Sequence, residues 1–366
     1  MKSSAKVALI HGDGIGIDVT DAAASVVDAA ILKAGNCRIF YDKIKSGAGY
    51  FRETGMDIEP GGEEQVGDAD AIFLGAIGLP SVRHENGTEI SPHLRLRDRY
   101  QLYAGVRPVK AYPNAPQRLA DPLAANIDMV ILRESTEGLF YSAAVHDRSE
   151  IKDDEEVRDV LLITRETTEK LHHFAFKLAR KRMERGKIGG LTCVDKANVF
   201  NSMAFFRKIF DEVSQEYPDV GTAHNYVDAQ ALNLVRQPWL YDVMVMENMF
   251  GDILSDLAGG LVGGMGMAAC AEIGDRHGLF QPAHGSAPDI MGKDKANPLA
   301  AILSGSLMLD YLADRTDNSS FAIAAKIVDD AVDRGFAENR LRPMEFSGDM
   351  GTKAVTNEVL ALIGES

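Results

Sequence analysis

Short apolar runs, each followed by an amphipathic stretch of helical length, recur along most of this 366-residue chain. A strand written as a continuous apolar run is buried on both faces, and a parallel neighbour must be reached by a crossover of a dozen or more residues, usually a helix. That alternation restricts the chain to an α/β architecture with largely parallel strands. The runs that read as strands are residues 7–11, 71–75 (AIFLG), 128–133 (DMVILR), 160–164 (VLLIT), 191–194 and 243–246. Helical periodicity covers residues 18–34, with Gly35 as a stop, and 166–185, closed by Gly186. It returns at 199–213, 253–261, 299–312, 321–334 and 352–362. Residues 257–271, rich in Gly and Met, read as a buried helix and turn. Residues 83–91 and 112–121 read as loops. Residues 145–156 (VHDRSEIKDDEE) form a charged excursion, either a solvated loop or an arm toward another subunit.

Charge and cysteine usage narrow the function. Thirty-nine basic against fifty-four acidic residues leave a net charge of −15, a field that repels phosphate backbones and argues against nucleic acid as a partner. An anionic ligand would need its own local cluster of cations. Cys37, Cys193 and Cys270 are scattered and odd in number, which fits a reducing cytoplasm rather than a disulfide framework. The start of the chain lacks the apolar core of a signal peptide, and no apolar stretch is long enough to span a membrane.

Several segments carry candidate chemistry. Gly12-Asp13-Gly14-Ile15-Gly16 lies between a strand and a helix, but the third glycine comes one residue too early for the G-x-G-x-x-G dinucleotide fingerprint. A tight strand-to-helix turn that needs glycine dihedrals is the favoured reading of it. In HLRLRDRYQLYAGVRP and DMVILR, Arg97, Arg107 and Arg133 are candidates to hold a di- or tricarboxylate, because planar guanidinium forks stay charged when partly buried. Asp252 and Asp256, four apart in ENMFGDILSDLAGG, share a helix face. Their mutual repulsion is relieved by a hard, oxygen-seeking cation such as Mg²⁺ or Mn²⁺. Asp228 in HNYVDAQAL is a candidate third carboxylate or a helix cap. Lys196, where the apolar run LTCV ends, is a candidate base, and Tyr141 in RESTEGLFYS a candidate proton donor. In HGSAPDIMGKDKANP, the small residues Gly285, Ser286 and Ala287 offer backbone amides to a pyrophosphate. Asp289 suits a ribose diol and repels a 2′-phosphate, which points to NAD rather than NADP. His172, His173 and His277 show no ligand spacing.

Taken together, these segments resemble, in order and over nearly the whole chain, the β-decarboxylating dehydrogenase family of isocitrate and isopropylmalate dehydrogenases, with the isopropylmalate enzymes as nearest members. The resemblance implies a two-domain fold that is not a Rossmann domain. Residues 1–108 and 264–366 would form the first, cofactor-binding domain, and residues 109–263 the second, dimerisation domain. It further implies that Arg97, Arg107 and Arg133 hold the carboxylates, and that Tyr141 is the general acid and Lys196 the base. Asp228, Asp252 and Asp256 would bind Mg²⁺ or Mn²⁺. Gln281, His284, Gly285, Ser286, Ala287, Asp289 and Asn297 would hold NAD. The enzyme would be a homodimer with shared active sites, Lys196 and Asp228 reaching into the partner's cleft.

Three departures from the family pattern stand out. His11 replaces the usual Pro before GDGIG, and Gln281 replaces the usual Glu before HGS. The segment that reads the substrate's variable group carries Ser91-Pro92-His93-Leu94 where isopropylmalate enzymes place leucines. Ser91 fits a polar side group, and Leu94 keeps one apolar wall. An isopropyl group there would leave polar groups unpaired at a cost of about 1–3 kcal/mol. Isocitrate, tartrate and D-malate therefore stand beside an isopropylmalate-like substrate. A non-catalytic regulatory subunit is the competing class, and it is disfavoured because the whole Arg, Lys, Tyr and Asp set is present.

Overall fold

The computed structural model describes residues 2–143 and 146–365. One ten-stranded mixed sheet runs through the molecule, with strand order β2-β1-β3-β12-β11-β4-β5-β10-β8-β9. Its strands are β1 (Ser4–Gly12), β2 (Arg38–Lys43), β3 (Ala71–Ala76), β4 (Ala104–Lys110), β5 (Asp128–Glu134), β8 (Leu191–Asp195), β9 (Thr222–Tyr226), β10 (Val243–Met246), β11 (Ala269–Ile273) and β12 (Gly278–Pro282). A small hairpin of β6 (Ile151–Lys152) and β7 (Val157–Arg158) stands apart. The helices are α1 (Gly16–Ala34), α2 (Ala48–Thr54), α3 (Gly62–Gly67), α4 (Pro92–Arg99), α5 (Arg165–Glu184), α6 (Asn201–Ser214), α7 (Val227–Arg236), α8 (Asn248–Leu261), α9 (Leu299–Thr316), α10 (Ser319–Ala337) and α11 (Thr352–Glu365).

The central strands are the apolar ones. Every residue of β3, β8, β10 and β12 is buried, as a strand covered on both faces requires. Helices α1, α9, α10, α11, α5 and α6 cover one face through a continuous core that includes Phe73, Phe176, Phe210, Phe280, Phe321 and Phe336. The other face is covered in two patches. Val66 of α3 and Leu96 of α4 pack on Ile10, Ile72 and Leu74. Leu234 of α7 and Leu254 of α8 pack on Ile131, Met244 and Met246. Strands on one side of the β4–β5 pairing come from residues 4–110 and 269–282, and those on the other side from residues 128–246.

Two expectations need correction. Residues 160–164 are not a strand: only Leu162 makes an isolated bridge, to Gly138, and Thr164 then caps α5 by accepting a hydrogen bond from the Thr167 amide. The apolar run VLLIT lies along the protein without entering the sheet. The sheet is also less uniformly parallel than expected, because β12–β11, β11–β4 and β4–β5 are antiparallel. In the charged excursion, Val145 lies outside the described residues. Arg148 turns back onto its own chain, holding Asp98 with both nitrogens at 3.0 and 2.8 Å.

His172, which the sequence left without a role, is a core residue of α5. It is fully buried, its ring 4.5 Å from Phe206 and 5.3 Å from Phe210, with Nε2 3.2 Å from the Phe206 carbonyl oxygen. Burial pushes its pKa down to about 3. Between that value and the ordinary 6.5, the unfolded chain binds a proton that the native state refuses. Stability is therefore lost as pH falls through this window, at up to roughly 1.4 kcal/mol per pH unit. His172→Phe should flatten the slope of unfolding free energy measured in denaturant at pH 7, 6 and 5. An unchanged slope would mean that the imidazole is not what acid attacks.

Candidate active site

Strands β1, β3 and β12 run one way and β5, β10, β8 and β9 the other, because the antiparallel pairings β12–β11, β11–β4 and β4–β5 lie between the two sets. Ligand crevices in α/β sheets open outside the carboxyl ends of strands. A cleft of ≈ 290 Å³ lies at the middle of the sheet, where residues from the ends of β3 and β5 line it. Its lining includes the end of β3, the segment after β12, Ser91, His93, Leu94 and Arg97 around α4, Arg107 of β4, Arg133 of β5, and Asp252 and Asp256 of α8. The substrate residues expected from the sequence and two of the three expected metal ligands are thus brought together.

Helical geometry explains the arginine triplet. On α4, Arg95 and Arg99 lie four apart and share the outer face, where Arg95 pairs with Asp57 and Glu63, and Arg99 with Glu63 and Glu64. Arg97 points the other way and is buried. Inside the cleft, Arg97 and Arg107 meet the same oxygen of Glu272, at 3.0 and 2.7 Å. Arg133 donates through Nε to Asn248 (2.9 Å), pairs with Asp252, and lies 4.7 Å over the Phe140 ring. Burial, with Arg97 and Arg107 adding to it against the pull of Asp252, lowers the Arg133 pKa to about 10. Burial would raise the Glu272 carboxyl, but Arg97, Arg107 and Arg133 hold it down at about 2. Burial and then Asp252 raise the Asp256 carboxyl. Burial, reinforced by Arg97, drives His93 down to about 3, so that imidazole is neutral.

The glycine-rich turn proves to be structural. Gly12 and Gly14 adopt positive φ, +74° and +56°. The amides of Asp13, Ile15 and Gly16 are already donated, to the carbonyls of Ala76, Ser286 and Asp13. The Asp13 carboxylate accepts from the amides of Ala48, Gly49 and Gly78 at 2.8, 2.7 and 2.8 Å, stitching three loops together. This turn has few amides left for a phosphate and instead props the segment that begins at His284. There, His284 Nδ1 lies 2.9 Å from the Gly285 carbonyl, its pKa lowered by burial, and its buried Nε2 has no partner among the described residues. Gly285 is open to solvent, Ala287 has φ +34°, and Asp289 is exposed. The Ser286 hydroxyl donates to the Gly78 carbonyl. Asn297 faces inward, its amide on Glu345 (2.9 Å) and its oxygen accepting from the Leu299 amide (3.2 Å). Gln281 lines the cleft, and His11 pairs with Asp21 at 2.9 Å.

Three expected residues are not in the cleft of their own chain. Lys196 and Asp228 pair with each other just after β8 and β9, whose carboxyl ends face the same way as that of β5 but lie beyond β10. Among the described residues, no group of three His, Cys, Asp or Glu side chains is gathered for a metal. Tyr141 sits on a 3-10 turn, Leu139–Ser142, under the Arg148 guanidinium 4.9 Å away, and its neighbour Phe140 lines the cleft instead. Sequence reasoning missed Glu272 and Asn248. A lone Glu in ACAEIG has no local signal, whereas Asn248, one turn before Asp252 in ENMFGD, was in reach of helical spacing.

Residues 6–362 match the isocitrate/isopropylmalate dehydrogenase family model. The chain is 38% identical over 362 residues to the 3-isopropylmalate/3-methylmalate dehydrogenase of Methanocaldococcus jannaschii, spanning 98% of this chain and 99% of that protein. It is 39% identical over 345 residues to the 3-isopropylmalate dehydrogenase of Heyndrickxia coagulans, spanning 92% and 91%. Among solved structures, the isocitrate dehydrogenase of Methylococcus capsulatus superposes with a TM-score of 0.82 at 31% identity, over 98% of this chain and 99% of that one. With arginines facing acids across one cleft and relatives matched along their full length, the chain belongs to the isocitrate/isopropylmalate dehydrogenase family and is a decarboxylating dehydrogenase.

Proposed function

We propose that the enzyme catalyses the NAD-dependent, divalent-metal-dependent oxidative decarboxylation of an (R)-2-hydroxy acid with a malate core, in the manner of a 3-isopropylmalate dehydrogenase. The observation that carries this reading is the buried triplet Arg97, Arg107 and Arg133 facing Asp252 and Asp256 in one cleft. The acidic pair fits Mg²⁺ or Mn²⁺: the two carboxylates lie one helical turn apart, and burial and then Asp252 raise the cost of ionising Asp256. The segment after β12 fits NAD, with the orphaned His284 Nε2, the open Gly285 and the exposed Asp289 at the cleft rim. When bound, the cation supplies acidification of the substrate 2-hydroxyl and stabilisation of the enolate left by CO₂, and the dinucleotide supplies the hydride acceptor at C2.

The chain's own residues supply the rest. The arginines orient the two carboxylates of the malate core and keep the departing one aligned. Lys196, paired with Asp228, takes the hydroxyl proton, and Tyr141 protonates the carbon after decarboxylation. Both Lys196 and Asp228 would serve the partner's cleft, Asp228 as the third metal ligand. Exposed Val199 and Phe200 just before α6, Leu232 and Val235 on α7 and Ile253 on α8 favour such a homodimer, because they leave apolar surface uncovered. We place the domain crossings near Pro108 and Gly263. Free, buried Cys37, Cys193 and Cys270 suit a cytoplasmic setting, and the charge of −15 disfavours nucleic acid. No helix among the described residues is long and apolar enough to cross a membrane.

The test is NAD⁺ reduction with Mn²⁺ against 3-isopropylmalate, isocitrate, D-malate and the tartrates. Turnover of none would overturn the reading. Asp289 gives a separate check on the dinucleotide. A carboxylate there should bond a ribose diol and repel a 2′-phosphate, so Asp289→Lys should shift preference from NAD toward NADP about tenfold or more. An unchanged ratio of kcat/KM for the two would remove Asp289 from the site.

A further inference from the structure

Glu272 is a fully buried carboxylate placed among the arginines that a carboxylate substrate needs. It lies on β11 opposite Gly105 of β4. The space it fills exists because Gly105 has no side chain: a Cβ there would lie 2.5 Å from Ser135 Oγ and 2.9 Å from Glu272 Oε2. Its Oε1 takes one nitrogen each from Arg97 and Arg107. Left over are Arg97 Nε and Arg107 Nε and Nη1, all buried and without partners among the described residues. The arginine cluster thus keeps donors to spare while one of its three positive charges is already cancelled.

We propose that Glu272 sets the charge of the substrate, restricting the enzyme to dianionic malates whose third substituent is uncharged and excluding tricarboxylates. The inference rests on the proposed malate-core decarboxylation and narrows it. Three guanidinium charges less one carboxylate leave two, the charge of a malate core. The other charges at the site do not change that balance. Lys196 and Asp228 cancel as a pair, and Asp252 and Asp256 oppose a divalent cation. A third substrate carboxylate would have to lie toward Ser91, His93, Leu94 and Glu89, which line the cleft beside Arg97. Among the described residues, no cation other than the arginine cluster itself is free there. The His93 imidazole is neutral, and Glu89 is an acid already bridged to Arg83 at 2.7 Å. Like charges repel at a partly desolvated site, so exclusion is the expected result. Ser91 and the buried, unpartnered His93 Nδ1 suit a hydroxyl or a small group on C3.

The experiment compares the dianions D-malate and 3-isopropylmalate with trianionic isocitrate, in kcat/KM with NAD⁺ and Mn²⁺. A dianion should be preferred over isocitrate by about tenfold or more. Glu272→Gln, close in shape but uncharged, should move the isocitrate-to-dianion ratio upward about tenfold, chiefly through KM, and Glu272→Asp should restore the original ratio. If Glu272→Gln lowers kcat/KM for both classes by the same factor, Glu272 only props the arginines and the proposal fails. Calorimetry on the Mn²⁺-loaded wild type needs neither turnover nor a foldable variant: methylsuccinate, with two carboxylates, should bind more tightly than tricarballylate, with three. Tighter tricarballylate, or a wild type that prefers isocitrate, overturns the charge assignment and leaves the decarboxylase reading intact. Absence of turnover on all substrates overturns that reading, while the calorimetric order still decides the role of Glu272.

Discussion

Replacing Arg133 with Met should abolish nearly all turnover while leaving the protein as stable as before. Arg133 sits 3% exposed at the end of β5, within the field of Arg97 and Arg107, and its lowered pKa of about 10 records how poorly that place suits a cation. Its fork is held by Asn248 and Asp252. For a dicarboxylate substrate, loss of a desolvated, charge-assisted donor costs about 3–5 kcal/mol, a fall of roughly 10²–10⁴ in kcat/KM. The folded state loses less. Met fills the volume, repulsion among the arginines eases, and Asp252, whose side chain is 48% exposed, can turn to water. Thermal unfolding should shift by no more than a few degrees. A collapse in Tm matching the loss of activity would show that Arg133 supports the fold rather than the substrate.

Gly14→Ala should do the reverse, destabilising the protein first. Gly14 has φ +56°, where an L side chain pays roughly 1–2 kcal/mol, and a Cβ there would overlap the Ser286 carbonyl oxygen. That carbonyl also accepts from the Ile15 amide at 2.7 Å. Neither partner is a flexible side chain, so the segment from His284 must shift bodily. About 3–5 kcal/mol of stability should go, together with most affinity for the dinucleotide proposed to bind that segment. Gly55→Ala is the control. Gly55 also has positive φ, +76°, but nothing lies within 4 Å of its built Cβ, and the cost should stay near 1 kcal/mol. Equal effects in chemical denaturation of the two variants would mean that backbone strain alone matters and that the turn does not brace the loop.

Much of the architecture was legible because it is written locally. Buried strands such as AIFLGA and VMVM need no polar face, and their apolar runs say so. Gly35 ends α1 where a glycine with φ +66° follows the last helical residue. Asp252 and Asp256 announce a shared helix face by spacing alone. Edge strands were not legible. β9, TAHNY, and β2, RIFYDK, lie half in water and carry polar residues to blunt the sheet edge, so their sequences resemble loops. The run VLLIT misled in the opposite sense, since an apolar stretch can pack on a surface without a ladder partner.

Which chemical groups the protein owns, and which of them share a helix face or a strand end, can be read along the chain. Those relations depend on residues a few positions apart. That Glu272 stands between Arg97 and Arg107 follows from packing, because its contact with Arg107 is made by antiparallel register across β11 and β4, 165 residues apart. The tertiary structure also set Lys196 and Asp228 apart from the cleft of their own chain, through the order in which β10, β8 and β9 join the sheet. Spacing along a chain encodes neighbours one turn or one strand away. The charge balance of a site depends on groups brought together from distant segments, and that balance is set by packing.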